Sequence, residues 1–132
     1  MPVKFEKFYT KELLAANPRH YFVFGDNYEH KGRGGQAKAC RDQPNSIGIP
    51  TKKAPNNLPA SYLTDEDYAE WLGYFSEPAA LLIQLLKQKQ VVIFPEDGLG
   101  TGLAKLPEKA PKIYNHINTF VGELVERFGL MK

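Results

Sequence analysis

The chain has 132 residues, enough for one domain that buries roughly two-thirds of its unfolded surface without staples. Seventeen basic and fifteen acidic side chains leave a net charge of +2, and the cations are scattered, which excludes a surface that tracks a long polyanion. One cysteine, Cys40, excludes an internal disulfide and a thiolate zinc site; no apolar stretch reaches membrane-span length, and MPVKFEKFYTK lacks the apolar core of a leader, so a soluble cytoplasmic protein is expected.

Thr10 before KELLAA is an N-cap, and Asn17-Pro18 ends that short helix, because proline disfavours helical backbone in the residue before it. His20 to Phe24 is an aromatic and β-branched run that stops at Gly25-Asp26-Asn27, the pattern of a strand buried on both faces that enters a loop. Tyr28 to Arg33 is polar, and Gly34 to Arg41 is predicted to be a helix opening on paired glycines. Ser46 to Pro50 is a short strand candidate, and the proline- and asparagine-rich stretch Thr51 to Pro59 a long loop. Thr64-Asp65-Glu66-Asp67 is a capping signature for a helix carrying Tyr68, Trp71, Leu72 and Phe75, which Gly73 and Pro78 split from a leucine-rich helix running to Lys89. Val91 to Phe94 is a second buried strand ending at Pro95, Gly98-Leu99-Gly100-Thr101-Gly102 a second glycine loop, and Pro107 opens a last helix that Gly129 stops. Residues 1–132 thus read as a single α/β domain in which strand, glycine-rich loop and helix occur twice.

In an open α/β sheet, ligands bind beyond the carboxyl ends of the strands, where glycine lets free backbone amides approach phosphate oxygens. Both glycine loops lie at such an end, so if their strands are neighbours the loops face each other across one crevice and hold a diphosphate. No GxGxxG is followed by an acid about twenty residues on, and no GxxxxGK[ST] occurs, which disfavours dinucleotide-binding Rossmann and P-loop sites. Asp26 and Asp97, each just past a strand, are the candidate general bases; each can equally serve as a turn cap or solvated turn residue. Lys52 and Lys53, beside a strand end, are placed to meet a phosphate or to remain solvated loop charges. His20, His30 and His116 lack the mutual spacing of a metal site or a triad, and neither metal nor cofactor is called for. Trp71 with Tyr68 and Phe75 reads as core.

FVFGDN, then KGRGGQAKA, GIPTKKAP and VVIFPEDGLGTGLAKLP, in that order, resemble a macro domain, the ADP-ribose-binding α/β fold. The resemblance covers about residues 20 to 128 and is most specific in Phe94-Pro95 and Gly100 to Leu106. It implies a three-layer α/β/α fold with a mixed, mostly parallel central sheet, trimmed of the extra N-terminal strand and the final strand of larger members. It also implies Asp26 or Asn27 beside a ribose, with Gly25 adjoining. Gly32, Gly34, Gly35, Gln36 and Ala37 would line the distal ribose and diphosphate, and Gly98, Leu99, Gly100, Thr101, Gly102 and Leu103 would wrap the phosphates. Tyr28 is expected against a sugar or base. Thr51-Lys52-Lys53-Ala54 and the GTGL loop are similar to the branch that removes ADP-ribose from carboxylate side chains with a lysine and an aspartate. That aspartate's place falls near Ala104, so Asp97 or Asp26 would supply the carboxylate from a shifted position. The implied function is binding of ADP-ribose or a related NAD-derived nucleotide with hydrolysis at its distal ribose, on free ligand or on an ADP-ribosylated macromolecule. The alternative is a non-catalytic binding module.

Overall fold

The apolar runs become strands β1 (Val3–Glu6), β2 (His20–Asn27), β3 (Ser46–Lys52) and β4 (Val91–Pro95) in a computed structural model that describes residues 2–131. They form one sheet in the order β1-β4-β2-β3, with every neighbouring pair parallel. The expected mixed sheet is therefore corrected to an all-parallel one. Helical crossovers separate the strands, so none meets its neighbour through a hairpin, and the antiparallel pairing found is the isolated bridge between Lys52 and Tyr62. An N-terminal strand that the sequence pattern does not announce is present as β1: Val3-Lys4-Phe5-Glu6 carries little pattern in four residues, and its ladder to β4 makes it a strand.

The helices are α1 (Lys11–Ala16), α2 (Ala37–Cys40), α3 (Tyr68–Lys87), α4 (Leu106–Lys109) and α5 (Pro111–Phe128). Strand alternation sorts the core into two clusters. Phe22, Phe24 and Ile93 pack with Leu14, Ala37 and Cys40 from α1 and α2, whereas Val23, Ile49, Val92 and Phe94 pack with Trp71, Leu82, Ile113 and Ile117 from α3 and α5. Right-handed crossovers account for this division, because β1 to β2 and β2 to β3 step one way across the sheet and β3 to β4 steps back. Adjacent β2 and β4 consequently lead to helices on opposite faces, which opens a crevice at their carboxyl ends.

A tyrosine marks where that crevice begins. The β2–β4 ladder runs only from His20↔Val91 to Phe22↔Ile93. Beyond it the Tyr9 hydroxyl, 2.8 Å from the carbonyl of Val23 and 3.1 Å from that of Ile93, donates its proton at the point where the strands part.

Helix α3 runs unbroken through Gly73 and Pro78, where two helices were expected. An internal proline costs about 3 kcal/mol, but Trp71, Phe75, Ala79, Leu82 and Leu86 are all buried along one face, and each large side chain contributes about 1.5–3 kcal/mol. Conversely, α2 covers only Ala37–Cys40, leaving Gly34, Gly35 and Gln36 in the loop, and the last helix breaks at Ala110. Cys40, the last residue of α2, is buried in the core, where burial pushes its thiol up to about 12. Among the described residues no helix is long and apolar enough to cross a membrane. Tyr9→Phe is expected to lower unfolding free energy by about 1–3 kcal/mol in urea titrations, since it removes the hydroxyl hydrogen bond to the Val23 carbonyl where the sheet divides.

Candidate functional site

A cleft of about 330 Å3 occupies the crevice, walled by the segments after β2, β3 and β4. The candidate residues named from the sequence line it except Tyr28, Lys53 and Leu99, the last with a side chain that is 3 % exposed and packs into the core on the α5 side of the sheet. Leu99 is thus a correction. It lies between two positive-φ glycines, Gly98 and Gly100, and the chain reversal there turns it inward while its neighbours face the cleft. Arg33, Arg41 and Ala104 also line the cleft, as do Lys31, Pro55 and Asn57, whose sequence context gave no ligand signal.

The loop after β2 is organised by two buried polar residues. Asn27 donates from Nδ2 to the Lys31 carbonyl at 2.7 Å, and its Oδ1 accepts from the Glu29 amide at 3.0 Å, so its side chain holds the turn. The Asp26 carboxylate accepts from Arg41 Nη2 at 2.7 Å and the Asn27 amide at 2.8 Å on Oδ1, and from His30 Nδ1 at 2.9 Å on Oδ2. Burial pushes this carboxyl up, but the hydrogen bonds from Arg41, His30 and the Asn27 amide, with the Arg41 charge, outweigh it and hold it below its ordinary 3.8. The neighbouring strand makes room for it: a Cβ on Gly48 would stand 2.7 Å from Asp26 Oδ2. His30, structureless as a sequence signal, therefore joins the site through Asp26.

The loop after β4 turns on Gly100, whose φ of +76° and close approach to the Leu106 side chain both exclude a larger residue. Its carbonyl accepts from the Leu106 amide at 2.8 Å, and Thr101 Oγ1 donates to the Asp97 carbonyl at 3.1 Å. Leu103, 61 % exposed, leans across the mouth so that its Cδ1 fills the space beside Gly34. Among the described residues no acceptor meets the backbone amides of Gly34 to Gln36 or of Gly100 to Ala104. The cleft is thus bordered on two sides by unpaired donors.

Charge is unevenly distributed in the cleft. Lys52 is buried at the end of β3, donates from Nζ to the Asn56 carbonyl at 2.6 Å, and lies 4.6 Å from the centre of the Tyr62 ring. Among the described residues no carboxylate comes within ion-pair distance of it, and burial lowers its pKa. Thr51 is also buried and donates from Oγ1 to the Asp26 carbonyl at 3.2 Å. Asp97 stands exposed at the rim, with no partner for its carboxylate among the described residues. Tyr28 does not reach the cleft: it stacks on Tyr74 at 3.8 Å, which corrects its expected place against a sugar or base. Tyr74 comes from α3, and the buried Tyr28 hydroxyl has no hydrogen-bond partner among the described residues. Among the described residues no three His, Cys, Asp or Glu side chains gather as metal ligands.

Because the folded state depresses Asp26, its contribution to stability is full above the ordinary carboxylate range and lost as pH falls through the lowered value. Thermal melts between about pH 5 and about pH 2 should show wild type losing more stability than Asp26→Asn, which has no charge to lose. Gly100→Ala should lower unfolding free energy by at least about 1–2 kcal/mol, the cost of a left-handed alanine alone, as read by urea denaturation.

A model of a family of unknown function (DUF7831) matches residues 4–120. No curated protein and no solved structure matches the chain.

Proposed function

The chain belongs to the DUF7831 family, and we propose that its cleft binds ADP-ribose or a related NAD-derived nucleotide, within a three-layer arrangement of the macro-domain kind. One observation carries the reading: two runs of unpaired backbone amides border one crevice that also holds a buried lysine without a carboxylate partner among the described residues. A diphosphate answers both demands, because its oxygens accept from the amides of Gly34 to Gln36 on one side and Gly100 to Ala104 on the other, and its charge offsets that of Lys52. A neutral ligand would leave that ammonium uncompensated. The cleft's volume is at the lower end of small-molecule sites, which suits a ligand threaded through it with its ends outside.

Hydrolysis at the distal ribose needs a group that orients water. Asp26 has both oxygens engaged by Arg41, His30 and the Asn27 amide, so in this reading it shapes the ribose wall, and Asp97 orients the water. The same engagement of Asp26 favours the second reading, a binding module without turnover.

Calorimetric titration with ADP-ribose tests the shared core of both readings: heat and a raised melting temperature are expected, and their absence at millimolar ligand sinks both. Lys52→Met should weaken binding about tenfold or more, as expected for losing a charge-assisted contact to phosphate. Turnover of an ADP-ribosylated substrate that disappears in Asp97→Ala while binding persists supports the hydrolase; no turnover by wild type leaves the binding module.

A further inference from the structure

We infer that Arg41 is a positioning residue that sets the conformation of the Lys31–Gly35 loop, and through it the ligand affinity of the cleft. This segment has almost no backbone support of its own: no backbone–backbone hydrogen bond involves Lys31, Gly32 or Arg33 among the described residues. Its carbonyls are instead gathered by one guanidinium. Arg41 Nη2 donates to the Lys31 carbonyl at 3.0 Å, and Nε donates to the Gly32 carbonyl at 3.0 Å. The remaining ties are Asn27, at the Lys31 carbonyl and amide, and the exposed ion pair of the Arg33 side chain with Asp42.

A trans peptide points its N–H opposite to its C=O, so fixing two successive carbonyls toward Arg41 turns the amides of Gly32 and Arg33 away from it. The guanidinium is itself anchored. Its Nη2 is 2.7 Å from Asp26 Oδ1, its Cζ lies 5.5 Å from the centre of the Phe24 ring, and its side chain is only 11 % exposed. Asp26 in turn is seated over Gly48 and held by His30. The chain of contacts therefore runs from the sheet, through Asp26, to a fork that grips the loop. Only arginine offers this fork, because one ammonium does not span a carboxylate and two carbonyls in a fixed plane.

The affinity part of this inference rests on the nucleotide reading above, whereas the ordering of the loop does not. The test is 15N relaxation of ligand-free wild type, Arg41→Lys and Asp26→Asn, alongside melting temperatures and ADP-ribose titrations. In wild type the Gly32 to Gly35 amides should show rigid-backbone order parameters of about 0.85, falling below about 0.6 in Arg41→Lys, with a smaller fall in Asp26→Asn, which keeps the carbonyl contacts. The melting temperature of Arg41→Lys should stay near wild type while its ADP-ribose affinity drops about tenfold or more, the weight of one charge-assisted hydrogen bond. Unchanged order in Arg41→Lys, or loosening in Asp26→Asn alone, overturns the inference. Wild type that fails to bind ADP-ribose removes the nucleotide reading, and the relaxation comparison still decides the role of Arg41.

Discussion

The β2–β4 ladder stops after Phe22↔Ile93, and the remainder of the site follows from that early end. Two parallel strands that continued to pair would bring their loops side by side with no room between them. Here the Tyr9 hydroxyl donates at the point of separation, 2.8 Å from the Val23 carbonyl, where the strands part. Because right-handed connections send the two following segments to opposite faces, the gap widens outward into the cleft rather than closing over. The third wall comes from β3, whose pairing with β2 is extensive and delivers Thr51 and Lys52 to the same edge.

Within that space, ionised groups divide by how they are compensated. Asp26 and Arg41 neutralise each other and are spent on shape, tying the first loop to the sheet. Among the described residues Lys52 meets a carbonyl and an aromatic face, both weaker partners than a carboxylate, and so retains an unmet demand for an anion. Asp97 is held out in solvent, where a carboxylate is least costly and where it does not oppose an anion deeper in the cleft. This separation of a buried cation from a rim acid gives the cleft a polarity, positive inside and negative at the mouth.

The two main strands, the N-cap at Thr10 and the two glycine loops are legible in the sequence, because each depends on neighbours close in the chain: a run of aromatic and branched residues, a hydroxyl three residues before a free amide, glycines where φ turns positive. Elements whose stability comes from elsewhere are not. β1 exists through its ladder to β4, a segment about ninety residues away along the chain. Pro78 sits in mid-helix because a buried face offsets the lost hydrogen bond, and short-range propensity carries no record of that burial. The inward turn of Leu99 has the same origin, since it depends on the core that α5 brings to it.

The sequence by itself determined which residue types stand at the cleft: the glycines, Asp26, Asn27, Thr51, Lys52 and Asp97 are all ends of strands or turns that local chemistry marks. Only the tertiary structure decided what each is occupied with. Asp26, equally a base or a cap on its sequence, is bound to Arg41, fifteen residues on, and to His30, while Lys52 has no acidic partner among the described residues. The physical reason is that a residue's type sets what charge and hydrogen bonds it can offer, whereas burial and partners, which set whether that capacity remains free for a ligand, are properties of the packed chain.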